Sequence, residues 1–165
     1  MFLGTPNIID VEASSFGSHS YPIEVGIVLR NGERYCSLIL PDDSWTDWDE
    51  SAEEVHHISR ATLIKHGKPI EVVTEELNQF LQQQTVYTDG WVVDDPWIKK
   101  LFYTANKSPT FYVSPLELIL TEPQMEIWHQ TKDKLIEGSE DKRHRASFDA
   151  ALIQKTYVET ANHTH

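Results

Sequence analysis

The chain has 165 residues, 39% of them apolar and 24% charged, a length and balance that fit one folded domain with its own core and exclude the disordered and fibrous classes. Fourteen Lys and Arg against twenty-six Asp and Glu give a net charge of -12, which excludes a protein that grips nucleic acid by broad phosphate neutralisation. Cys36 is the only cysteine, so an intrachain disulfide and a thiolate zinc cluster are excluded and a reducing, cytoplasmic setting is expected.

The opening MFLGTPNIID has no basic segment, and apolar runs approaching about 18 residues do not occur, so neither a signal peptide nor a membrane span is expected. Asn7 to Glu12 predicts a β-strand ending in the loop SSFGSHS. Ile23 to Arg30 and Arg34 to Leu40 predict two more, joined at Asn31-Gly32, a strong hairpin signal. In the acidic stretch that follows, Ser51 and Glu54 form a capping-box pattern that predicts a short helix, with a second over Ile58 to His66. Ile70, Val73, Leu77 and Phe80 or Leu81 recur at helical spacing.

Thr85 to Thr88 predicts a short buried strand, and an amphipathic helix is expected from near Pro96, with Trp97, Ile98, Leu101 and Phe102 on one side and Lys99 and Lys100 on another. Phe111 to Val113 is a further strand candidate. Leu116 to Ile136 predicts one or two helices around Pro123, and Ala146 to Thr160 a last helix before a loose tail. The expected fold is α/β: a mixed central sheet starting with three antiparallel strands and flanked by helices, in a single domain over 1-165 with its core at about 7-160.

Asp10 and Glu12 lie two apart in an otherwise apolar strand, so both carboxylates point to one face. Half-buried acids need partners, and a shared divalent cation supplies one; a salt-bridged and a solvated acid on an edge strand is the alternative. Near the last helix, DKRHRASFDA places His144 five residues before Asp149, among Lys142, Arg143 and Arg145. The apolar Trp91-Val92-Val93 run precedes Asp94 and Asp95. A strand pair, a helix-start acid and a late helix acid are the carboxylates that two divalent ions about 3.5 to 4 Å apart require for phosphodiester hydrolysis.

That order of Asp-x-Glu, mid-chain Asp and His-x-x-x-x-Asp resembles the DEDD superfamily of 3′ to 5′ exonucleases in its histidine-containing branch, on a ribonuclease H-like fold. YPIEVGIV is similar to that family's second strand, VHHISRATL resembles a segment commonly reading Val-His-Gly-Ile-Ser, and the resemblance spans Asn7 to Thr160. It includes polymerase proofreading subunits and oligoribonucleases. The resemblance implies two Mg²⁺ or Mn²⁺ ions held by Asp10, Glu12, Asp94 and Asp149, with His144 taking the proton of the attacking water. The middle motif here, WVVDDPWI, leaves Asp95 open beside the preferred Asp94. The family's Thr-Thr-Gly is replaced by Ala13 to Gly17.

For the substrate, the loop holding Ala13, Ser14 and Phe16 is expected to cradle the terminal nucleotide, with Phe16 either stacking on a base or serving as loop core. His56 is expected near the same nucleotide. Lys99, Lys100, Arg143 and Arg145 are the candidate phosphate contacts, although a solvated helix face explains the two lysines equally. Trp45, Trp48, Trp91 and Trp97 are expected as anchors rather than platforms. The expected partner is a short or single-stranded 3′ end, DNA or RNA. The acidic charge implies weak grip on long strands, or a basic protein partner or second copy of the chain that completes the groove. A catalytically silent interaction module and an endonuclease are the competing functions.

Overall fold

Alternation of Ile8, Ile9, Val11 and Ala13 with the two acids builds β1, Ile8–Ala13, which pairs antiparallel with β2, Pro22–Val28. The computed structural model describes residues 4–139 and 145–165. The Asn31-Gly32 turn, with Gly32 at φ 90°, returns the chain into β3, Arg34–Leu38. A positive φ at a hairpin tip costs glycine nothing, which is why the pair of residues turns here. β4, Thr85–Thr88, adds parallel to β1, and β5, Tyr112–Pro115, adds parallel to β4, giving the order β3-β2-β1-β4-β5. The predicted mixed sheet with an antiparallel start is the observed one, in a ribonuclease H-like arrangement.

Between β3 and β4 lie α1, Glu50–His56, α2, Arg60–His66, and α3, Ile70–Leu81; α4, Trp91–Thr104, joins β4 to β5. A 3₁₀ turn at Leu116–Ile119 leads to α5, Glu122–Glu137, and α6, Ala146–Thr164, closes the chain. One face of the sheet, through Ile9, Val11, Ile23, Val25 and Ile27, packs on Val73, Leu77 and Leu81 of α3 and Ile98, Leu101 and Phe102 of α4. On the other face Ile8 and Val28 meet Trp128 of α5 and Ala150, Ile153 and Tyr157 of α6. The chain therefore divides into two apolar cores separated by one sheet.

All strands but β4, and α2, shift by one or two residues from the sequence reading, and four other helices differ from it for reasons that the structure shows. Asp49, not Ser51, caps α1, because its carboxylate accepts the Ser51 amide at 2.8 Å and the Ser51 hydroxyl at 2.7 Å. Pro96 lies inside α4 rather than at its start; lacking an N–H, it forgoes only the bond to the carbonyl of Val92, a residue 80% exposed. Pro123 sits in the first turn of α5, where a missing N–H costs nothing, so the stretch from Leu116 splits before it rather than around it. The last helix continues beyond Thr160, with the hydroxyls of Thr160 and Thr164 each donating to the carbonyl four residues back.

Among the described residues no helix is long and apolar enough to cross a membrane. Gly67, after α2, is pressed against backbone: an added Cβ would lie 2.4 Å from the Leu63 carbonyl oxygen and 2.5 Å from the Leu40 nitrogen. Gly67→Ala is thus expected to cost about 1–3 kcal/mol through overpacking, read as a lower urea midpoint at unchanged slope. An unchanged midpoint would mean that the turn relaxes freely.

Candidate metal centre and its surroundings

Directly opposed residues of paired strands share a face, and the register places Asp10 opposite Gly26 and Glu12 opposite Glu24. Both β1 carboxylates therefore point to the side covered by α6. That helix carries Asp149 in its first turn. One carboxylate oxygen from each of Asp10, Glu12 and Asp149 lies within 4.8 Å of the others, and all three side chains are half-buried. Three anionic oxygen ligands at this separation can chelate a divalent cation, since hard cations take carboxylate oxygens.

Asp94 approaches from α4. The Thr88 hydroxyl donates to its Oδ2 at 2.5 Å, while the Gly90 amide donates to the same hydroxyl at 3.0 Å, so the end of β4 fixes the direction of the carboxylate. Asp94 is 3% exposed and exerts a charge effect on both Asp10 and Glu12. Its neighbour Asp95 instead accepts an ion pair from Lys99 at 2.7 Å. Of the two candidate middle acids, Asp94 is the one whose charge acts on Asp10 and Glu12, while it stands outside the three-carboxylate group. Asp89, bonded to Lys132 at 3.5 Å, adds its charge to Asp10 and Asp94.

Burial and mutual repulsion raise these carboxylates. Asp10 is held well above the usual range by burial first and then by Asp94, Glu12, Asp149 and Asp89. Glu12 is pushed up to about 9 by burial, by the Asp149 and Glu24 charges, and by a hydrogen bond with Asp149. Burial lifts Asp94 to about 7 against the opposing Thr88 bond. A metal-free cluster consequently keeps protons near neutral pH, and a cation would take their place.

The other candidate residues are placed unequally. Ala13 and Ser14 are buried, and the Ser14 hydroxyl accepts the Tyr21 amide at 3.1 Å, so it braces the loop. Phe16 is 73% exposed on that loop, which removes the loop-core alternative. His56 is buried; its Nδ1 accepts the Ile58 amide at 3.0 Å, which fixes the proton on Nε2, and Nε2 has no partner among the described residues. Lys100 donates to the Ser20 carbonyl at 2.8 Å, tying α4 to the loop. Arg145 faces Glu24, with Nη2 at 2.6 Å, so part of its charge is taken up within the fold, while 43% of its side chain stays exposed. His144 and Arg143 lie outside the described residues.

Trp45 stacks on Tyr21 at 5.3 Å, and the indole N–H groups of Trp48, Trp91 and Trp97 donate to Glu53, the Val113 carbonyl and Ser20. All four act as anchors, as expected from the sequence. Glu24, Gly26 and Asp89 are the residues near the site that the sequence reading passes over. A lone acid in the buried run PIEVGIV was the available signal for Glu24, since such a charge must have a partner.

The sequence matches no family model and no curated protein sequence. The fold is similar to solved structures of exonuclease I. Escherichia coli exonuclease I in complex with a dA16 oligonucleotide is 12% identical with a TM-score of 0.69 over 98% of this chain and 43% of that one. The zinc-bound E. coli exonuclease I complex with single-stranded DNA is 10% identical, with a TM-score of 0.74 over 99% of this chain and 41% of that one. The likeness is one of fold, and this chain spans about two fifths of the length of those proteins.

Proposed function

We propose that the protein is a metal-dependent 3′ to 5′ exonuclease that removes nucleoside 5′-monophosphates from the 3′ end of single-stranded or short DNA or RNA. The observation that carries this reading is the convergence of Asp10, Glu12 and Asp149 on one face, with Asp94 beside them. The exonuclease I structures of similar fold include complexes with single-stranded DNA, which supports a nucleic-acid strand as the substrate class. Asp10, Glu12, Asp94 and Asp149 would hold two Mg²⁺ or Mn²⁺ ions, which when bound lower the pKa of water and neutralise charge developing on the phosphodiester.

The remaining work falls to the chain's own side chains. Exposed Phe16 offers a face for a terminal base, and His56, buried and held by the Ile58 amide, would support the nucleotide pocket from behind. Lys99 is held by one ion pair and Lys100 by the His19 and Ser20 carbonyls, contacts that a phosphate can exchange or share; Arg143 is the further phosphate contact proposed from the sequence. His144 is the general base, because a neutral imidazole accepts a proton near neutral pH.

The test is digestion of a 5′-labelled single strand, DNA and RNA in parallel, with Mg²⁺ or Mn²⁺. Shortening by one nucleotide at a time from the 3′ end, arrested by EDTA, is the expected result. Internal cuts from the first time point, or cleavage of a covalently circular strand, would establish an endonuclease instead, and inertness toward both nucleic acids a silent module. His144→Ala is expected to lose about 10²-fold in turnover with an unchanged melting temperature; cleavage at the wild-type rate at pH 7 would remove His144 as the base.

A further inference from the structure

We infer that Glu24 is a positioning residue for the metal centre: it seats the first turn of α6 on β2 and thereby fixes where Asp149 meets Asp10 and Glu12. The inference rests on the reading of those acids as metal ligands and adds a residue that touches neither metal nor substrate. Glu24 is completely buried, a costly place for a carboxylate unless it is paired and hydrogen-bonded. It is both. Nε of Arg145 donates toward its two oxygens at 3.1 and 3.0 Å, Nη2 donates at 2.6 Å, and the Ala146 amide donates at 2.8 Å.

The helix needs this acceptor. α6 has no side-chain cap of its own at Arg145, and the amides of a first turn must otherwise find water or another group. A carboxylate at a helix N-terminus also has favourable interaction with the aligned peptide dipoles. Two residues further along β2, on the same face, Gly26 completes the seat: an added Cβ would lie 2.3 Å from both the Ala146 carbonyl carbon and the Ser147 nitrogen. Helix backbone thus rests directly on strand backbone, at a separation no side chain permits.

The lever from this seat to the cluster is short and stiff. Asp149 is three residues beyond Ala146, and its amide donates to the Arg145 carbonyl at 2.9 Å, closing the first helical turn. Any displacement of the Arg145–Ala146 peptide is passed to Asp149 nearly undiminished, whereas metal ligands must hold position within about 0.2 Å.

The experiment compares the full-length wild type with Glu24→Gln, Gly26→Ala and Val73→Ala, the last in the core on the opposite face of the sheet. Mn²⁺ affinity is measured by titration calorimetry and amide hydrogen exchange is followed residue by residue. Glu24→Gln is expected to weaken Mn²⁺ binding at least tenfold and to speed exchange at Ala146 to Asp149 while β1 stays protected. Gly26→Ala, which displaces the helix with Glu24 intact, is expected to do the same, and it decides the matter should Glu24→Gln not fold. Val73→Ala is expected to melt earlier yet bind Mn²⁺ as the wild type does. Wild-type affinity in Glu24→Gln, or a loss matched by Val73→Ala at equal loss of stability, would overturn the positioning role while leaving the metal reading intact. A wild type that binds no Mn²⁺ would overturn both.

Discussion

Replacing Asp10 by Asn is expected to abolish phosphodiester hydrolysis and, at the same time, to raise the melting temperature of the metal-free protein. Asp10 stands at the centre of the charge cluster, opposed by Asp94, Glu12, Asp149 and Asp89. Asn keeps the shape of Asp, so the substitution removes repulsion without opening a cavity. A stability gain of about 1–2 kcal/mol corresponds to a few degrees in a chain of this size. Loss of a central metal ligand forfeits several kcal/mol of transition-state stabilisation, a fall of at least about 10³-fold in rate.

The order of stability should then invert with metal. Mn²⁺ at about 100 times its dissociation constant adds about 2.7 kcal/mol to the wild type and little to Asp10→Asn, so the wild type should melt higher in saturating Mn²⁺ and lower in EDTA. Retention of the full Mn²⁺ shift by Asp10→Asn would contradict the assignment of Asp10 as a shared ligand.

Metal binding is also expected to release protons and to grow stronger with pH. Glu12 titrates at about 9 and Asp94 at about 7 in the folded chain, and Asp10 is raised in the same direction. Between pH 4 and 9 the folded, metal-free state therefore binds more protons than the unfolded state, whose carboxylates titrate near about 4. By linkage its stability falls as pH rises through that window. Bound cations reverse the penalty, so the Mn²⁺-induced rise in melting temperature should increase from pH 5.5 to pH 8.5. Calorimetry at pH 7 in buffers of differing ionisation enthalpy should register about two protons released on saturation. Zero release, or a metal shift independent of pH, would mean that the ions bind away from these acids.

The strand that carries the candidate metal ligands was legible because a β-strand has period two: Asp10 and Glu12 break an apolar pattern in phase and so declare a shared face. The hairpin at Asn31-Gly32 and the spacing of Ile70, Val73, Leu77 and Leu81 in α3 were legible for the same reason, a local pattern with one structural meaning. Asp94 was harder to place, since Pro96 suggests a helix start, and only the Thr88 and Gly90 contacts show that the helix begins at Trp91. Glu24 was illegible as part of the site. Its partners, Arg145 and Ala146, lie more than a hundred residues away, and local pattern carries no information about which distant donor meets a buried acid. Arg145 looked like a phosphate contact for the converse reason. A basic run beside a helix start reads as open charge until the fold supplies its partner.

The helical extent of the C-terminal segment was likewise a tertiary matter. NHTH has weak intrinsic helix preference, but Gln124 of α5 donates to Thr160 at 3.2 Å and to the Tyr157 carbonyl at 3.4 Å, which extends the ordered turn toward the end. Phe16 is the opposite case: no pattern distinguishes an exposed loop phenylalanine from a core one, and only its solvent exposure identifies it as available to a base.

The central claim is that four carboxylates, not scattered surface acids, hold the ions that hydrolyse nucleic acid. Anomalous diffraction from crystals of the full chain soaked in Mn²⁺ tests it most directly. Manganese is expected at the cluster, with oxygens of Asp10, Glu12 and Asp149 at about 2.0–2.3 Å from one ion and Asp10 with Asp94 serving a second. Manganese bound only elsewhere, with the Asp10, Glu12 and Asp149 carboxylates still protonated and paired to one another, would contradict it.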